Sequence, residues 1–89
     1  MNKQIDFEKI ESKEGFHKAV AEILEFPKYY GKNLDALYDL LTEMDFSVIH
    51  LKNLDSLSKL GEYGASILTT FKDAAKYNPN LHILYRKEK

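Results

Sequence analysis

The chain has no cysteine and no tryptophan, and only two prolines and four glycines among its 89 residues. Without cysteine it can form no disulfide and present no thiolate to a substrate or a metal, a composition that suits a reducing compartment. The scarcity of glycine removes two further classes of site. Gly31 stands alone, so no glycine-rich phosphate loop follows any candidate strand, and none of Ser12, Ser47, Ser56, Ser58 or Ser66 sits in a Gly-x-Ser-x-Gly elbow. His17, His50 and His82 are too scattered for a metal-ligand motif. All three read as ordinary hydrogen-bonded histidines, and no cofactor or metal is expected. No apolar run approaches the roughly 18 residues of a membrane span, and Met1 to Asp6 lacks the apolar core of a signal peptide. The expected location is cytoplasmic, with no membrane partner.

What is present is enough for one ordinary core: 44% of residues are hydrophobic and 12% aromatic. A chain of this length is expected to form a single domain, residues 1–89, with a radius of gyration of about 12 Å, too small to enclose a large substrate. Function is therefore expected at the surface.

Strand and helix signals alternate along the chain. Gln4 to Phe7 is a candidate strand, and Ser12 is a candidate N-cap with Glu14 in the first turn behind it. Phe16, Val20, Ile23 and Leu24 then recur at helical spacing, and the helix must end near Glu25 because Pro27 restricts the residue before it. A loop runs from Pro27 to Lys32, and Asn33 caps a second helix that starts at Leu34. Phe46 to Leu51, rich in β-branched and apolar residues, reads as a mostly buried strand. Asp55 caps a short helix over residues 56–60, Gly61 and Gly64 punctuate, and Ala65 to Tyr77 carries Ile67, Leu68, Phe71, Ala74 and Ala75 on a helical face. Asn78, Pro79 and Asn80 stop that helix before a last strand, Leu81 to Tyr85. The tail Arg86 to Lys89 is charged but too short for a nucleic-acid arm. The order βααβααβ predicts an α/β fold with a three-stranded parallel sheet and packed helices, since parallel neighbours need helical crossovers.

Charge is distributed unevenly. Residues 33–51 hold four acids, Asp35, Asp39, Glu43 and Asp45, and no lysine or arginine, whereas residues 1–32 balance six bases against six acids. At about 100° per residue, Leu34, Leu37 and Leu41 share one stripe, and Asp35 and Asp39 lie on a neighbouring stripe with Tyr38 and Thr42 beside them. Like charges at i, i+4 cost a helix a few tenths of a kcal/mol per pair, a cost that a cationic partner would remove. The plainer alternative is a solvated face balanced by lysines elsewhere in the fold. Tyr29 and Tyr30 likewise either cover the core or form part of the same surface. A glycosidase-like role for Asp35 and Asp39 is disfavoured, because that chemistry needs carboxylates on opposite sides of a cleft.

The string Phe26-Pro27-Lys28-Tyr29-Tyr30-Gly31-Lys32-Asn33-Leu34-Asp35-Ala36-Leu37-Tyr38-Asp39 resembles the signature of barstar-like ribonuclease inhibitors, and the likeness extends more weakly over nearly the whole chain. The resemblance implies a barstar-like fold and an intracellular protein that plugs the active site of a secreted, guanyl-specific bacterial ribonuclease of the barnase type, with no enzymatic activity. It implies a partner-binding surface at Tyr29, Tyr30, Gly31, Asn33, Leu34, Asp35, Ala36, Tyr38, Asp39 and Thr42, with Asp39 as its anchor. Asp73 aligns with the family's usual glutamate on the last helix and is one methylene shorter. Lys28 and Lys32 stand where the best-known member has acids, and Tyr38 stands in place of a tryptophan. These departures leave a second reading open, in which the same fold serves as an immunity or regulatory module for a different cationic protein.

Overall fold

Three parallel strands are laid side by side in chain order in a computed structural model, which describes residues 1–87. The tail expected over residues 86–89 therefore falls partly outside the described residues. The strands are β1 (Asn2–Asp6), β2 (Ser47–Lys52) and β3 (Leu81–Tyr85). Asn2 is registered against Val48 and Val48 against His82, so β2 is central and bonded on both sides. Between β1 and β2 run two helices, α1 (Lys13–Ile23) and α2 (Leu34–Thr42). Between β2 and β3 run a 3₁₀ helix (Leu54–Leu60) and α3 (Glu62–Tyr77). The expected βααβααβ order is the observed one, with an additional 3₁₀ turn at Phe7–Lys9.

The helices cover one face of the sheet. Ile5 and Phe7, Ser47, Ile49 and Leu51, and Leu81 are buried beneath them. Val48, His50 and Lys52 alternate onto the other face and are half-exposed. The strand at 46–51 is thus less buried than its composition suggested, because a parallel sheet needs helices on both faces to bury every residue, and here one face is open. Phe46 lies outside β2 and is exposed, its ring 5.1 Å from that of His82.

Inside, Phe16 and Val20 of α1 and Leu24 at its C-cap meet Leu37 and Leu41 of α2 and Ile67, Phe71 and Ala74 of α3, joined by Phe7 stacked 6.1 Å from Phe16. Two positions differ from expectation at the ends of helices. Asn53, in the left-handed region at φ 58°, precedes the 3₁₀ helix, and Asp55 sits in its first turn. α3 begins at Glu62, ahead of the expected Ala65, so Gly64 lies within its first turn. Gly64 is required by close approach: a β-carbon there would collide with the Leu57 carbonyl oxygen. Gly64→Ala is expected to cost about 1–3 kcal/mol through this overpacking, read as a lowered melting temperature. An unchanged melting temperature would show that the 3₁₀ segment yields without cost.

Candidate functional site

The candidate surface begins where α1 stops. Glu25 takes φ 58°, and the Phe26 N–H returns to the Ala21 carbonyl at 2.9 Å, which closes the helix in the manner usually supplied by glycine. Pro27 then accepts a hydrogen bond from the Tyr30 N–H at 3.0 Å, making a tight turn with Tyr29 at its tip. Tyr29 is 81% exposed, more than any other large hydrophobic residue among the described residues.

Tyr30 behaves differently from the surface residue it was expected to be. It is buried, its ring centroid 4.9 Å from that of Phe26, and its hydroxyl meets His17 Nδ1 at 2.6 Å. The other ring nitrogen of His17, Nε2, meets the Tyr63 hydroxyl at 2.5 Å. One histidine from α1 therefore ties the loop to α3. A neutral imidazole has one N–H and one lone pair, so one tyrosine hydroxyl donates to the ring and the other accepts from it. Burial, helped by the Lys13 charge and opposed by Glu14, lowers the His17 pKa from 6.5, and burial raises the phenol pKa values of Tyr30 and Tyr63. The cluster is uncharged near neutral pH. Its role is to hold the loop, and Tyr30 serves the surface by fixing the backbone beneath Tyr29 and Gly31.

Gly31 and Asn33 complete the approach to α2. Asn33 Oδ1 accepts from the Ala36 N–H at 2.7 Å, the expected cap, while Asn33 Nδ2 donates to the Gly31 carbonyl at 3.3 Å. A β-carbon on Gly31 would press against this amide and Ala36. The left-handed residue of the turn is Lys32, at φ 58°.

On α2 the expected stripes separate. Leu37 and Leu41 are fully buried, and Asp35 and Asp39 are exposed. Leu34, Ala36, Tyr38 and Thr42 are half-buried; Leu34, Ala36 and Tyr38 pack one side against the core. The Thr42 hydroxyl donates to the Asp39 carbonyl at 2.8 Å. At the end of the helix, the buried Asn78 donates to the carbonyls of Leu41 and Met44, both at 3.0 Å, which satisfies groups that a helix C-terminus leaves free. In the sequence Asn78 reads only as a stop signal. Its position after the α3 pattern hints at a cap but not at the helix it serves.

Among the described residues the ion pairs are Lys3–Glu25 and Lys59–Glu11, and neither involves Asp35, Asp39, Glu43 or Asp45. The acids of α2 are thus carried on a fixed helix without an internal counter-ion among those residues. Asp73 is exposed on α3, with no hydrogen bond or ion pair joining it to the α2 group among the described residues. Tyr29, Gly31, Asn33, Asp35 and Asp39 are gathered on the continuous exposed segment made by the loop and α2. No group of three or more acids and histidines is placed to hold a metal among the described residues, and no helix there is long and apolar enough to cross a membrane.

The sequence matches the family described as Barstar (barnase inhibitor) along residues 1–86. It is similar to the Bacillus subtilis (strain 168) protein named "Putative ribonuclease inhibitor YrdF", with 40% identity over 73 residues that cover 78% of this chain and 76% of that protein.

Proposed function

The chain belongs to the barstar family, and on that premise we propose that it is a cytoplasmic inhibitor that binds one to one to a secreted, basic, guanyl-specific ribonuclease of the barnase type. It performs no chemistry of its own. The observation that carries the reading is the pair of exposed acids, Asp35 and Asp39, on a helix capped at both ends and without a counter-ion among the described residues. A ribonuclease holds its phosphate with arginine, lysine and histidine, and a carboxylate fixed on a helix can take the phosphate's place and accept charge-assisted hydrogen bonds. Asp39 is the anchor, Asp35 meets a second basic group, and Tyr29 lies across the rim of the site. The alternative partner is a different cationic protein, a reading favoured by the lysines at 28 and 32 within the same loop.

Titration calorimetry against the barnase-type ribonuclease of the same genome, with its activity followed in parallel, tests this directly. Stoichiometric binding with loss of activity is expected; no binding would shift the assignment to another cationic partner. In the same assay Tyr29→Ala should change folding stability by no more than about 0.5 kcal/mol, since the ring is exposed. Its affinity should fall by about 2 kcal/mol, the scale of an aromatic hot spot. Unaltered affinity would remove Tyr29 from the contact surface.

A further inference from the structure

The candidate face has a positive border as well as a negative centre. Lys13, at the start of α1, and Lys32, just before the Asn33 cap, line one shallow hollow with Asn33, Leu34, Asp35 and Tyr63. Lys13 Nζ is held 5.0 Å above the centroid of the Tyr63 ring, a cation–π contact that places the ammonium at the wall of the hollow. Lys32 is placed by its backbone, at φ 58°. A second hollow continues from the same two lysines to Lys18, Glu14 and His17. Neither Lys13 nor Lys32 takes part in an ion pair among the described residues.

These lysines lie at the N-terminal end of α2, where the helix dipole adds positive potential; Asp35, in the first turn, lines the same hollow but leaves it net positive, and Asp39 and Glu43 lie further along the chain. A partner whose surface were basic throughout would satisfy Asp35 and Asp39 but would bring like charge against Lys13 and Lys32. Like-charge juxtaposition at an interface is a strong discriminator between partners. The surface is complementary instead to a basic centre with an acid at its border.

We propose that the hollow between Lys13 and Lys32 receives an aspartate or glutamate side chain from the rim of the partner's active site. The hollow thereby selects, among basic ribonucleases, those whose phosphate site is bordered by an acid. This rests on the ribonuclease reading of the α2 face and adds to it the property that separates one such enzyme from another.

The test is a double-mutant cycle with the ribonuclease of the same genome. The charge reversal Lys13→Glu with Lys32→Glu should weaken binding about ten- to a hundredfold. Replacing the responsible rim acid of the ribonuclease by alanine should weaken binding to the wild-type inhibitor and should partly restore binding to the reversed one, whose glutamates that acid repels. The neutral pair Lys13→Gln with Lys32→Gln, expected to show a smaller loss of the same kind, serves if the reversal disturbs the fold. Equal or tighter binding by the charge-altered inhibitors, or the absence of coupling to any rim acid, would overturn the lysine hollow while leaving the α2 interface intact. A wild-type protein that binds no ribonuclease at all would overturn both.

Discussion

Asp39→Ala is expected to weaken binding to the partner by about 2–5 kcal/mol, the range for truncating one member of a buried charge pair, to which the barnase–barstar interface is itself a contributor. Folding stability should change by less than about 1 kcal/mol. The separation follows from where Asp39 stands. It is exposed in the middle of α2, it joins no ion pair among the described residues, and it has acids four positions away on either side, Asp35 and Glu43. Its removal relieves two like-charge contacts, each worth a few tenths of a kcal/mol, and alanine is the better helix former. In free protein the substitution is therefore neutral or slightly stabilising. In the complex it would leave the partner's buried arginine or lysine without an acceptor. Calorimetry gives the affinity and denaturant unfolding the stability. Equal affinity would reject the anchor, and a large loss of stability would make Asp39 a structural residue.

The second large effect is expected at His17. His17→Ala removes a 2% exposed ring and leaves the hydroxyls of Tyr30 and Tyr63 without their shared partner. An unsatisfied buried hydroxyl costs about 1–3 kcal/mol, and the vacated space adds a cavity penalty. A total loss of about 3 kcal/mol is expected in denaturant unfolding, and less than about 1 kcal/mol would mean that the hydroxyls find water. The same residue sets a pH dependence. Protonation would turn both ring nitrogens into donors and oblige both hydroxyls to accept. The groups around the ring are Tyr30 from the loop, Tyr63 from α3, and Lys13 and Glu14 from its own helix. Burial first, and then Lys13, hold the native pKa below 6.5, with Glu14 opposing. Below pH 6.5 the unfolded chain thus binds more protons than the native one. The contribution of neutral His17 is complete above 6.5 and declines as pH falls below it, by up to about 1.4 kcal/mol per pH unit, until the native pKa is reached. The difference in stability between wild type and His17→Ala should shrink from pH 7 towards pH 5. A constant difference would refute the account. Asp6, held below 3.8 chiefly by its hydrogen bond from Asn53, loses its contribution only at lower pH and does not overlap.

These two residues also mark how far the sequence can be read. The acid stripe on α2, the leucines opposite it and the caps at Ser12 and Asn33 are local devices, written within four residues of the groups they serve, and each is found where periodicity and capping chemistry place it. The parallel sheet follows from helices lying between strands. Tyr30 is different, because an aromatic next to an exposed aromatic carries no signal of which one turns inward. The answer depends on His17 and Tyr63, the latter 46 residues away from the histidine. The early start of α3 is of the same kind: Gly64 looks like punctuation until the Leu57 carbonyl beside it is known. Sequence periodicity reports which face of an element is apolar, not which distant backbone comes close to it.

The turn between Pro27 and Asn33 is held by its own hydrogen bond at Tyr30, by both ends of the Asn33 amide, and from below by the His17 imidazole. A surface fixed in this way has little freedom left to surrender when another molecule arrives. Encounter then depends on finding the right orientation, without waiting for a rare loop shape to appear. Differences among partners should reside mainly in how long each complex lasts once formed.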